Sequence, residues 1–338
     1  MKIIRERERE YWIDAIRSFA CICVITTHAP IPGGTNGIVF CSIFNYFSTA
    51  GASILFFMIS GALILYKEKP IIPFLKQRFA RIFLPMVLWS ILSLFIEFLS
   101  GNIVFNDLIT KITMIPFAPQ VGTYWFIYTI FGIYIISQPI AKWLDGCARR
   151  DVSFILLIWG VTLFIPYVSL IHPAFSNMTS YSGGLLYYFY GYLGYALLGF
   201  YLRKYVNINF NVKHIIILMI ICCIPLILYQ IRHIPHNVIQ DRLSINITLL
   251  AICYFLIIKH IKFSPKIAKI VYTVAQHSFG IYLIHIPIMR SVIWPLLEIY
   301  DINYIIQIPL IVLLTFILSY FVVYLIAKLP YSKYIVGI

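Results

Sequence analysis

Ten apolar stretches, each about as long as a bilayer is thick, follow one another along this chain. They fall near residues 11–29, 46–66, 80–99, 123–143, 152–171, 184–204, 212–230, 242–259, 276–294 and 302–327. A hydrocarbon core about 30 Å thick takes about 20 helical residues to cross. Inside it a segment must satisfy its own backbone groups, which continuous apolar runs of this length do as helices. The expected fold is therefore all-α, a polytopic membrane protein with about ten transmembrane helices. Composition agrees: of 338 residues, 61% are hydrophobic and only 11% are charged, a balance outside the range of soluble domains. The intervening polar stretches are too short for a second domain. Residues 1–338 thus read as a single integral-membrane domain, with spans over roughly 11–329 and no soluble domain. The first stretch lacks a small-residue cleavage site and reads as a retained span rather than a signal peptide.

Lysine and arginine placement orients the spans. With the N-terminus inside, the inner segments hold Lys2, Arg5, Arg7 and Arg9, then Lys67, Lys69, Lys76, Arg78 and Arg81. Lys142, Arg149, Arg150, Arg203, Lys204 and Lys213 follow on the same side, then Lys259, Lys262, Lys266, Lys269, Lys328 and Lys333. The outer segments hold Lys111, Arg232, Arg242 and Arg290. Both termini are expected to be cytoplasmic. The formal charge of +14 is thus spread over inner loops and forms no basic face, so no nucleic-acid partner is expected. The seven cysteines show no metal-ligand spacing, and most lie within spans as small apolar residues.

The first span carries the most informative polar pattern. In YWIDAIRSFACICVITTHAP, Arg17 and His28 are separated by ten residues. That is close to a whole number of helical turns, so both project from one face, about 16 Å apart along the axis. Asp14, Cys21 and Val24 share the stripe. Ionisable groups in a span are costly in lipid and usually face a protein interior or a wet cavity. Arg17 and His28 are therefore expected to line one continuous cavity. At its outer position His28 reads either as an interfacial histidine beside Pro30 or as a general base accepting a hydroxyl proton. Asp14 is about 21 Å away and cannot orient it. A carboxylate partner must come from another span, and Glu97 near the outer end of span three is the best placed. Glu97 reads equally well as a solvated helix-end residue.

Arg78 and Arg81, one turn apart at the inner entrance to span three, suit phosphate through their guanidinium forks. Positive-inside anchoring places arginines there as well. Ser60 and Gly61 in FFMISG are small residues suited to helix packing or to a polar wall, as is Ser53. Trp125 opens span four, where an aromatic belt is the ordinary role. His285 on span nine lies deep and is expected to face the interior.

Five stretches, in order, resemble one family: IDAIRSFACICVITTH, FFMISG, RFARIFLP, YWFIYTIFGIYIISQPI and HSFGIYLIH. They are similar to the acyltransferase 3 family of integral-membrane acyltransferases, most of all to the branch of the enterobacterial common antigen O-acetyltransferase. The resemblance implies transfer of an acyl group, usually acetyl, from cytosolic acyl-CoA to a hydroxyl of a surface glycan or lipid-linked saccharide. It implies a multi-pass protein of the bacterial cytoplasmic membrane, with acyl-CoA a donor substrate and no permanently bound cofactor. By the resemblance, Arg17, Arg78 and Arg81 handle the donor and His28 takes part in catalysis, as general base or, less favoured, through an acetyl-histidine. Asp14, Ser60, Trp125 and His285 are its expected substrate-binding residues, with Glu97 as a second catalytic candidate. Two features depart from the pattern. Thr123 and Tyr124 stand before Trp125 where relatives often carry histidine, and there is no fused extracytoplasmic esterase-like domain. A glycan-precursor transporter or flippase, and a sensor or scaffold without turnover, are the competing classes. Transporters often show inverted repeats and broken helices, and neither is evident here.

Overall fold

A computed structural model describes residues 10–31, 37–206, 212–231 and 233–338. Of the cations used to orient the chain, Lys2, Arg5, Arg7, Arg9 and Arg232 lie outside the described residues. The described residues form helices and no strand. A helix stands at each apolar stretch: α1 (Tyr11–His28), α2 (Val39–Ile64), α3 (Ile71–Leu99), α4 (Gly122–Gly146), α5 (Arg149–Val168), α6 (Leu193–Lys204), α7 (Lys213–Gln230), α8 (Ile245–His260), α9 (Pro265–Glu298) and α10 (Tyr304–Ile326). Among the described residues, seven are long and apolar enough to cross a membrane, which leaves out α1, α6 and α8.

Each exception has a local cause. α1 has 18 residues but carries Asp14, Arg17 and His28, which lower its hydropathy. α8 has 16 residues. α6 has 12, about half the expected span, because the first part of that stretch runs as turns rather than as helix. Gly191 adopts φ +134°, open to glycine but not to residues with a Cβ.

The polar α1 is a central helix. It packs against α2, α8, α9 and α10, and Asp14 is buried at 5% exposure. Its charged face is covered by protein, as the cost of ionisable groups in lipid requires. The apolar helices divide by position. Within an 18-residue apolar window, 78% is buried in α2 but 17% in α7, so α2 belongs to the core and α7 turns its isoleucines outward.

The closest helix contact is between α2 and α6. A Cβ on Gly61 would lie 1.9 Å from the carbonyl oxygen of Ala196, and one on Gly199 would lie 1.9 Å from that of Met58. Each glycine thus admits the other helix's backbone, the small-residue packing that membrane helices use. Arg203, at the end of α6, donates to the Ala62 carbonyl at 2.7 Å and pairs with Glu10 at 2.5 Å.

Two long helices change pitch where proline follows. α3 widens to a π turn over Phe79–Phe83, and α9 does so over Met289–Ile293. Pro85 and Pro295 lack the N–H that would bond four residues back, and their rings press on that carbonyl. The freed carbonyl in α3 is that of Arg81. Gly337, at φ +79°, packs against it: a Cβ there would come within 2.6 Å of the Arg81 oxygen and 2.7 Å of Phe279.

The α2–α6 contact carries the first prediction. Gly61→Val and Gly199→Val should each destabilise the detergent-solubilised protein by about 1–3 kcal/mol, the cost typical of overpacking, or by more, and so lower its thermal midpoint. Gly160→Ala should not, since nothing lies within 4 Å of a Cβ there. Fluorescence-monitored unfolding of the three variants makes the comparison.

Candidate active site

One end of the site is a cavity of about 230 Å³. Arg17 from α1 and Arg81 from the α3 π turn reach it, with Ser60 from α2, Gln276 and Ser278 from α9, and Gly337. Apolar walls come from Phe56, Ile59, Phe126, Ile130 and Phe279. The π turn matters here: by shifting the register after Arg78 it separates the two arginines of RFAR in direction. Arg81 lines the cavity. Arg78 stacks over Phe74 at 5.4 Å and over Tyr134 at 5.2 Å, with Tyr134 itself a cavity wall.

The other end is smaller, about 30 Å³, room for a water-sized group. It is lined by Val24, Thr27 and His28 of α1, Ala52 and Ser53 of α2, Thr123, Trp125 and Phe126 at the start of α4, Tyr282 of α9, and Arg242. α2 is interrupted at this level: Ala52 has φ −78° and ψ −115°, so Ser53 begins a new helical segment. The Arg242 guanidinium lies 5.2 Å from the Trp125 ring centroid. Its main chain is held by Tyr195, whose hydroxyl donates to the Arg242 carbonyl. The preceding residue, Asp241, accepts from the Leu243 N–H at 2.8 Å. Burial raises the Asp241 carboxyl above its usual 3.8, opposed by that hydrogen bond and by Arg242.

His285 stands beside His28, with ring centroids 5.6 Å apart. It is fully buried. Its Nδ1 lies 2.7 Å from the Tyr282 carbonyl. A carbonyl only accepts, so Nδ1 carries the proton and Nε2 is a bare acceptor. That Nε2 is buried and has no hydrogen-bond partner.

Arg17 and His28 line two cavities, not the single continuous one expected from their shared helical face. Phe126 and Tyr282 belong to both linings, and their rings meet edge to face at 5.8 Å. Tyr282 is fixed there because its hydroxyl donates to the Thr123 carbonyl. Tyr124 makes the matching bond to the Leu283 carbonyl at 2.6 Å. The start of α4 is thereby tied to α9, and the aromatic pair forms a wall between the two spaces.

Of the residues singled out from sequence, the structure gathers Arg17, Arg81 and Ser60 in the first cavity and His28 and Trp125 in the second, with His285 against His28. Three stand apart. Glu97 is half-exposed and pairs with Lys111 at 3.7 Å, the solvated helix-end role, while the group beside His28 is an imidazole. Asp14 is buried in the α1 interface and lines neither cavity. Arg78 supports the first cavity through Tyr134. Sequence reasoning missed Arg242, Thr123 and Tyr282. Arg242 counted only as one of the few outer cations, a scarcity that was itself a usable signal. Among the described residues, no group of histidine, cysteine and carboxylate side chains is placed to hold a metal ion.

Residues 10–327 match the acyltransferase 3 family, described as an acyltransferase domain. No curated protein and no solved structure matches the chain.

Gly337 tests how the first cavity is held together. Gly337→Ala places a Cβ against the Arg81 carbonyl and Phe279 in a left-handed conformation, a strain of about 1–3 kcal/mol. The thermal midpoint should fall relative to wild type. A structure of the variant should show Arg81 or Phe279 displaced from the cavity wall.

Proposed function

The chain belongs to the acyltransferase 3 family of membrane acyltransferases, and from that premise we propose that it is an acyl-CoA-dependent O-acyltransferase. It moves an acyl group, most simply acetyl, to a hydroxyl of a surface polysaccharide or lipid-linked saccharide in the bacterial cytoplasmic membrane. The five ordered motifs favour the branch of the enterobacterial common antigen O-acetyltransferase. The observation that carries the reading is the pair of adjoining cavities, with two arginines in one, a histidine in the other, and two aromatic rings between them.

In this reading both termini are cytoplasmic, so the Arg17 cavity faces the cytosol and the His28 cavity faces outward. Arg17 and Arg81 bind donor phosphates, for which guanidinium forks are matched. The pantetheine arm passes Phe126 and Tyr282 and brings its thioester to His28. The acceptor hydroxyl arrives from the outer side over Trp125. Its oxygen attacks the thioester carbonyl carbon while His28 takes its proton. The carbon–sulfur bond then breaks, and the protonated His28 returns the proton to the leaving thiolate. His285 packs beside the His28 ring, with centroids 5.6 Å apart, and restricts its orientation in the place first considered for Glu97. The aromatic wall keeps water from running through the protein when no donor is bound.

His28→Ala should reduce label transfer from radiolabelled acetyl-CoA to membrane glycan by about a hundredfold to ten-thousandfold, the usual worth of a general base, with insertion unchanged. Full transfer by this variant overturns the assignment of His28. Arg81→Gln should weaken acetyl-CoA binding in calorimetry. Arg78→Gln should weaken it less, because Arg78 acts through Tyr134. Equal donor affinity in wild type and Arg81→Gln returns Arg81 to a topological role.

A further inference from the structure

We infer that the small cavity beside His28 is an oxyanion site, in which the hydroxyls of Ser53 and Thr123 and the guanidinium of Arg242 receive the negative charge that develops on the acyl carbonyl oxygen. The inference rests on the acyl-transfer reading and assigns residues that sequence patterns did not single out for this role.

Hydroxyls within this fold ordinarily return their proton to a nearby carbonyl. Thr27 donates to Cys23 at 2.8 Å, Thr129 to Trp125 at 3.1 Å and Ser278 to Ala275 at 2.8 Å. Ser53 and Thr123 do neither this nor anything else: both hydroxyl oxygens are buried without a hydrogen-bond partner. Ser53 is 7% exposed and follows the interruption at Ala52, where the helical pattern of acceptors is broken. Thr123 sits in the first turn of α4, and its own carbonyl is occupied by the Tyr282 hydroxyl. A buried donor left unpaired costs free energy. Two such donors on the wall of one cavity, with a catalytic histidine on the same wall, are accounted for by a transient acceptor.

The charge of the site fits an anion. Arg242 lines the same cavity, is held over Trp125, and is pinned through its main chain by Tyr195. When the acceptor oxygen bonds to the thioester carbon, the carbonyl π electrons move to oxygen. That oxygen takes hydrogen bonds from Ser53 and Thr123 while His28 holds the acceptor's proton. As the carbonyl reforms, the electron pair of the carbon–sulfur bond leaves on the thiolate, which regains the proton from His28. Donors fixed in advance in a space with little water are most effective on charge that exists only in the transition state.

The test uses membranes carrying the full chain, acetyl-labelled acetyl-CoA as donor and the membrane glycan as acceptor. Thr123→Val and Ser53→Ala should each lower kcat about tenfold to a thousandfold, with KM for acetyl-CoA within about twofold of wild type, the signature of an interaction made only in the transition state. Thr123→Ser, which keeps the hydroxyl, should restore most of kcat. Should Ser53→Ala fail to fold, Thr123→Val and Thr123→Ser decide the matter alone. Wild-type kcat in both hydroxyl-free variants overturns the oxyanion site while leaving the acyl-transfer reading intact. So does a loss confined to KM, or one that Thr123→Ser does not rescue. Wild-type membranes that transfer no label overturn the acyl-transfer reading, and this inference with it.

Discussion

The backbone contact between α2 and α6 at Gly61 and Gly199 decides where the functional side chains can be. In a membrane, helices gain little from burying apolar surface against each other, so close packing and hydrogen bonds must hold them. With no side chain at either glycine, the two backbones come together, and Arg203 reinforces the contact through Ala62 and Glu10. The segment Ser53–Ile64 is thereby held against α6 along Met58 to Ala62. It contributes Phe56, Ile59 and Ser60 to one cavity and Ser53 to the other. A shift of this segment along α6 would move both sites together.

The second constraint is the cost of polar groups at membrane depth. The chain meets it by putting its most polar helix, α1, in the middle. Asp14, Arg17 and His28 then face α9 and α2 rather than lipid. This arrangement requires partners from other helices, and α9 supplies most of them: Gln276 and Ser278 toward Arg17, Tyr282 between the cavities, and His285 against His28. α9 reaches across both cavities within one unbroken helical stretch, from Ala275 to His285, that ends before Pro287 and the π turn. In α3 the π turn after Arg78 sends Arg81 inward and leaves Arg78 on Tyr134. π turns are frequent at functional sites, and in α3 the proline that accompanies the turn stands four residues beyond Arg81.

The wall of Phe126 and Tyr282 qualifies the simple picture of a channel along α1. A shared helical face shows that two side chains look the same way. It says nothing about what fills the space between them. Here Phe126 and Tyr282 line both cavities where they adjoin, with Tyr282 held through the Thr123 carbonyl.

By itself the sequence determined the membrane class, the helical architecture, the positions of the apolar stretches and the alignment of Arg17 with His28. These depend on local hydropathy and helical periodicity, which act over a few turns of chain. It also marked Gly61 as a packing residue, through the small-residue pattern of membrane interfaces. Only the tertiary structure decided that His28 stands beside His285, that Glu97 belongs to Lys111, and that Arg242, Ser53 and Thr123 share a wall with the histidine. Those outcomes depend on which helices approach and how closely. That is settled by glycine contacts, proline-loosened turns and hydrogen bonds between residues hundreds of positions apart, where no local pattern in the chain can register them.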